Sequence, residues 1–151
     1  MHFKNLVLLV IVFLMQQGCY IDFEDRGPRR DIRQISVGRI SVYFKREIRG
    51  RNYDGLSISG DGDLCNGPSP RTDFFVEGMS PGQVFYKVDG DELHIYSQSR
   101  FTPPQSDGFP VKIVQKQVEL ARYDPENIKK LGYTELVFSD DSLKYCNEKI
   151  Q

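Results

Sequence analysis

Gln83-Val84-Phe85-Tyr86-Lys87-Val88-Asp89-Gly90-Asp91-Glu92-Leu93-His94-Ile95-Tyr96-Ser97 is the stretch from which the fold is read. Asp89-Gly90 marks a hairpin, because glycine readily takes the positive backbone angles of a tight reversal. Val84, Tyr86 and Val88 alternate before it, and Leu93 and Ile95 after it. A two-residue loop pairs Tyr86 with Leu93, Val84 with Ile95 and Lys87 with Glu92. A four-residue loop pairs Val88 with Leu93 and Tyr86 with Ile95 instead. The two registers differ by two residues, so Val84, Tyr86, Leu93 and Ile95 face the core in both.

Short strands and turns continue on either side. Upstream, Ile35 and Val37 alternate on one parity and Ile40, Val42 and Phe44 on the other, which places a bulge or sharp bend at Gly38-Arg39 and gives two short strands or one kinked strand. Turn composition at residues 49–55 precedes a brief strand with Leu56 and Ile58, and Phe74-Phe75-Val76 is the next. Downstream, residues 100–110 form a long connection carrying Pro103-Pro104, Phe101 and Phe109, followed by a strand over residues 111–121. Asp124-Pro125-Glu126 opens a short helix, since Asp caps free amides and Pro fits the first turn. Lys129 and Lys130 suit its other end, and Gly132 stops it. Leu136 and Phe138 alternate in a further strand, and residues 143–146 close the fold. Seven or eight strands with one short helix near 125–131 describe an all-β protein, a small antiparallel β-sandwich of immunoglobulin-like type.

The first nineteen residues decide the compartment. Lys4 precedes Leu6 to Met15, an apolar run of ten residues, and Gln16-Gln17-Gly18-Cys19 follows. That order is a secretory signal peptide, and ten apolar residues are too few to span a bilayer, which takes about twenty. Gly18-Cys19 resembles the end of a bacterial lipobox, which implies cleavage after Gly18 and lipidation of Cys19. An ordinary secretory cut with Cys19 as a plain thiol is the alternative. Lipidation implies a periplasmic protein anchored by its acyl chains, and Tyr20 after the cysteine points to the outer membrane. The expected organisation is a signal peptide over residues 1–18, a lipidated polar tether over 19–34 and the β domain over 35–151. Dense mixed charge from Asp22 to Arg33 is the reason for reading a tether there.

Without residues 1–18 the chain keeps 19 basic and 21 acidic residues. That balance offers no basic stripe to neutralise phosphates, so nucleic acid is not an expected partner. With Cys19 assigned to lipid, Cys65 and Cys146 remain as a pair, and in an oxidising compartment their wide spacing favours a disulfide over a metal site.

Parts for catalysis are scarce. His94 is the one histidine after cleavage, and it falls on the hairpin face opposite Tyr86 and Ile95. The acids cluster at Asp61/Asp63, Asp89/Asp91/Glu92 and Asp140/Asp141, all in turns where Asp is favoured for conformational reasons. Ser59, Asp61 and Asp63 alternate like some calcium loops but lack the late Glu that completes an EF-hand. No enzyme activity, cofactor or metal ion is therefore expected.

Interaction surfaces remain. Phe101 and Phe109 sit on a proline-stiffened loop, suited to docking or to folding under as a satellite of the core. Lys45, Arg46, Arg49 and Arg51 are a local concentration of basic charge that could face an acidic partner, or be solvated hairpin charge. The leader ending at Gly18-Cys19, the polar Arg26-Gly27-Pro28-Arg29-Arg30 segment and a strand-rich domain with Cys65 and Cys146 together resemble the small periplasmic lipoproteins grouped as immunity proteins of type VI secretion systems. That resemblance implies a tethered, non-catalytic protein-binding domain that neutralises a toxin, with Arg49, Arg51, Phe101 and Phe109 as the candidate contacts read from the residues. A structural or assembly lipoprotein of the envelope, or a small-ligand or ion-binding module, is the alternative.

Overall fold

A computed structural model describes residues 27–50, 53–76, 83–117 and 123–146. The parity change at Gly38 is a reversal of the chain. β1 (Arg29–Val37) and β2 (Ile40–Arg49) form a hairpin with Val37 opposite Ile40, and Gly38 takes φ 60° in the turn. β1 starts six residues before the expected boundary, so residues 29–34 belong to the sandwich and not to a tether. The charge that argued for a tether is matched across the strands: Arg30 lies opposite Glu47, and Asp31 opposite Arg46.

β3 (Tyr53–Ser59) and β4 (Phe74–Val76) continue this sheet as a meander, and β9 (Lys144–Tyr145) pairs with the start of β1. The first sheet has the order β4-β3-β2-β1-β9. The second is built on β5 (Val84–Asp89) and β6 (Glu92–Ser97), with β7 (Lys112–Gln117) and β8 (Thr134–Glu135) at its edges in the order β7-β6-β5-β8. Val88 pairs with Leu93 and Tyr86 with Ile95, the register of the longer loop, while Asp89 also pairs with Glu92 and tightens the turn to Gly90-Asp91. Lys87 therefore faces His94 and not Glu92.

The two sheets pack face to face as a small all-β sandwich, with a meander in place of the Greek-key path of immunoglobulin domains. One pair is not antiparallel: β6 and β7 run parallel. A parallel neighbour needs a crossover of a dozen residues or more, and residues 98–111 supply it. On its way this crossover touches the other sheet, where the Thr102 amide donates to Phe75 O at 2.8 Å and the Phe75 amide to Thr102 O at 3.1 Å.

Between the sheets lie Val42, Phe44 and Ile58 from one side and Val84, Leu93 and Ile95 from the other, all buried, with Tyr86 packed beside Phe44 at a ring separation of 6.0 Å. The second sheet is covered on its other face too. Phe85 points away from the sandwich and is buried with Ile128 and Tyr133, flanked by Tyr96 and Tyr123. Ile128 comes from α1 (Pro125–Lys130), whose cap Asp124 accepts from the Glu126 and Asn127 amides and whose exit turns at Gly132, φ 84°. Phe85→Ala should therefore lower the unfolding free energy by about 3–5 kcal/mol, as for other buried aromatics. Urea denaturation measures it, and a loss below about 1 kcal/mol would mean that the helix does not seal this face.

Candidate functional site

Alternation along β2 puts Val42 and Phe44 on the inner face and Tyr43, Lys45 and Glu47 on the outer face of the first sheet. Such a face is ordinarily solvated. Here residues 60–73 fold over it, and Arg30, Lys45 and Glu47 are buried at 2–3 % exposure. Glycines let the loop lie close: a Cβ at Gly62 would stand 2.8 Å from the Tyr43 ring, and one at Gly67 3.0 Å from the Arg30 guanidinium. A staircase of local turns shapes it, with the Asp61 amide bonded to Ser59 Oγ, the Asp63 amide to Asp61 Oδ1 and the Cys65 amide to Asp63 Oδ1, each at 2.9–3.0 Å. The alternating acids thus serve the backbone, and no group of three His, Cys, Asp or Glu among the described residues is placed to hold a metal.

Under the loop, Arg30 Nε donates to Glu47 Oε2 at 2.5 Å and Arg30 Nη1 donates to the Cys65 carbonyl. Glu47 Oε1 accepts from Arg49 Nε at 2.6 Å. Lys45 Nζ donates to the Asn66 carbonyl at 3.4 Å and lies 3.7 Å from Asp61 Oδ2. The void beside these groups is about 10 Å³, room for one water at most, so this cluster holds the loop down and has no space for a ligand. Cys65 is cross-linked to Cys146 across 81 positions, with Cα atoms 5.3 Å apart, and so fastens the loop to the end of β9. The Cys146 amide donates to Pro28 O at 3.0 Å, which brings the entry to β1 to the same point.

The residues expected to meet a partner are dispersed. Arg49 is exposed but bonded to Glu47, and Arg51 lies outside the described residues, as does Cys19. Lys45 is buried under the loop, while Arg46 is on the opposite face, bound to Asp54 at 2.8 and 3.0 Å and to Asp140 at 3.0 Å. These carboxylates, Asp54 foremost, hold Arg46 above its ordinary pKa. Among the described residues Lys45, Arg46 and Arg49 form no basic patch, because strand alternation turns Arg46 from the other two and each is paired with an acid. Phe101 is not a docking residue either: it is fully buried, with its amide and carbonyl both bonded to the Gln115 side chain at 2.9 Å. Phe109 is half-buried and packs edge-to-face on Phe74 at 5.0 Å. Both follow the satellite alternative, because the crossover runs against the sheet edge. His94 Nε2 sits 3.1 Å from Glu92 Oε2 on the strand surface.

A feature that pattern reading did not find is a cleft of about 240 Å³ where residues 59–61, 72–73 and 106–110 meet, lined in part by Ser59, Asp61, Thr72, Asp73, Ser106 and Phe109. Asp73 is 3 % exposed; its Oδ2 accepts from the Ser69 amide at 2.9 Å and its Oδ1 from Thr72 Oγ1 at 3.1 Å. Gln105 N bonds to Pro70 O at 2.9 Å and Ser106 N to Arg71 O at 3.0 Å, tying the two walls. Its acids, Asp61 and Asp73, stand at the two ends of one loop, and the facing wall comes from the distant residues 106–110, so no local spacing signals the cleft.

No family model, curated protein or solved structure matches the chain.

Removing one partner of the buried pair strands the other, so Glu47→Gln should lose about 3–5 kcal/mol in urea unfolding. Arg30→Met combined with Glu47→Met should lose clearly less than Glu47→Gln, and a double variant as unstable as the single one would show that shape rather than charge holds the loop. Asp61 gives a pH signature. Its carboxyl is held below the ordinary 3.8, first by the Asn66 side chain and then by the Asp63 amide. Its stabilising effect is complete above about pH 4 and is lost as pH falls through the lowered value. Thermal melts should show Asp61→Asn melting below the wild type at neutral pH and converging with it in acid; parallel curves would exclude Asp61 from the acid limb.

Proposed function

We propose that the protein is a periplasmic lipoprotein, anchored through Cys19, whose non-catalytic β domain binds and neutralises a toxin delivered by type VI secretion. The observation that carries the reading is the Cys65–Cys146 cross-link in a chain that begins with an export-type segment. Disulfides persist in oxidising compartments, so bond and segment agree on the envelope. The disulfide-fastened loop and the tied walls of the cleft supply a preorganised surface, which lowers the ordering cost of binding a protein.

Tether length adds a constraint. Cys19 and Arg29 are ten positions apart, so an anchored Cys19 holds the start of β1 within about 36 Å of the membrane surface. A neutraliser on so short a leash meets a toxin at the membrane face.

Growth with radiolabelled palmitate should label the wild type and not Cys19→Ala. Purification of the intact lipoprotein from cells that also make a catalytically inactive copy of the toxin encoded beside it should recover both in equal amounts at moderate salt. Unlabelled wild type overturns the anchor. Recovery of resident envelope proteins with the toxin left unbound overturns the immunity reading and favours an assembly role.

A further inference from the structure

The geometry points to the open edge of β7 as the place where the protein partner adds an extended strand, with an apolar side chain against Val114 and an acid against Lys116. The inference rests on the protein-binding reading above and names the segment that the partner must present.

Among the described residues the two sheets end in four edge strands, and three of them offer little. β8 and β9 have two residues each, and β4 has three, of which Phe75 is already bonded to Thr102 through both its amide and its carbonyl. β7 has six residues and pairs with β6 along all of them. No other backbone among the described residues bonds to it. Such an edge turns a row of amides and carbonyls outward, and an extended segment can satisfy them as one more strand of the sheet. β7 begins two residues after Pro110, so this edge continues the wall of the cleft.

The side chains choose the occupant. Ile113 and Gln115 lie beside Leu93 and Ile95 and face the core, where Gln115 clasps Phe101 and holds the strand from within. An edge fixed in this way needs little further ordering to bind. Lys112, Val114 and Lys116 share the outer face, beside Glu92, His94 and Tyr96. Glu92 takes Lys112 at 2.5 Å, whereas Lys116 has no acid within ion-pair distance among the described residues. An incoming strand therefore gains most from an acid opposite Lys116, with an apolar residue two positions along, opposite Val114. A second copy of this chain does not supply them. Two-fold antiparallel pairing centred on Val114 sets Lys112 opposite Lys116 twice, and pairing centred on Gln115 sets Lys116 opposite Val114 twice. Like charges in register oppose the first, and neither brings Lys116 an acid. The added strand is thus foreign, and it runs antiparallel, the more stable pairing per residue.

The probe is a capped hexapeptide, threonine-glutamate-isoleucine-valine-isoleucine-threonine, which in antiparallel pairing puts its glutamate opposite Lys116 and its valine opposite Val114. It is added to the intact isotope-labelled lipoprotein in detergent micelles, and amide hydrogen exchange is followed by NMR. Every second amide from Lys112 to Gln117 should slow by more than about tenfold, since the intervening ones are already bonded to β6. A copy of the peptide with N-methylated backbone amides should give no protection. Lys116→Glu should weaken the binding about fivefold and favour a peptide with lysine in place of glutamate by a similar factor. No slowing, equal protection by the N-methylated copy, or indifference of Lys116→Glu to the charge of the peptide overturns the edge. Protection that rises with lipoprotein concentration in the absence of peptide overturns the foreign source in favour of a second copy. In the captured toxin complex the same alternate amides should be protected. A stable complex that leaves β7 exchange unchanged overturns the edge and spares the immunity reading, whereas failed capture by the wild type overturns the immunity reading whatever the peptide shows.

Discussion

The ion pair between Arg30 and Glu47 is the constraint on which the rest of the molecule depends. It joins β1 to β2 on a face that strand alternation would leave in water, and it is dry because the 60–73 loop covers it. The pair and the cover need each other. Without the loop the ions would be solvated and worth little, and without a satisfied pair the loop would be lying on unpaired charge. Arg30 links them directly, since its guanidinium also bonds the Cys65 carbonyl beside the disulfide.

A buried ion pair is a weak source of net stability, because desolvation offsets most of the attraction. Register is the better account of what it does here. The apolar pattern of β1 is sparse: Ile32 falls on the outer parity, and only Ile35 and Val37 mark the inner one. A shift of one residue would turn every side chain to the other face, and this strand carries little apolar signal to resist that. Arg30 opposite Glu47 and Asp31 opposite Arg46 set two consecutive opposite-charge pairs, one on each face. Slippage by one would place Arg30 opposite Arg46 or Ile48 and break both pairs. The disulfide reinforces the register from outside, since it brings β9 alongside Arg29 and Arg30.

What was legible in the sequence follows the same physics. The β5–β6 hairpin could be read because its core side chains alternate about a glycine, and α1 because capping chemistry is local. The cysteine pair was legible by count. The start of β1 was not, because charged residues read as solvated unless their partners are known, and Glu47 lies 17 positions from Arg30. Phe101 was ambiguous for a related reason: its burial depends on Gln115 closing the crossover with an amide that imitates a strand neighbour. Phe85 was hidden on the alternate parity of a strand already assigned one core face, and the distant Ile128 and Tyr133 give it a second.

The loop over the first sheet also joins the buried charges to the cleft. Its first half, through Asp61, Cys65 and Asn66, seals the buried charges; its second half, from Ser69 to Asp73, turns back on itself and forms a wall of the cleft. Asp61 belongs to both, since it lies 3.7 Å from Lys45 and also lines the cleft. A loop held at only one of these ends could close the cleft by collapsing into it. Fastened by Cys65 at one end, and by the Pro70 and Arg71 carbonyls to residues 105–106 at the other, it keeps the cleft open beside the buried core. The same covalent bond that holds the cover over the ion pair thus also fixes one wall of the cleft.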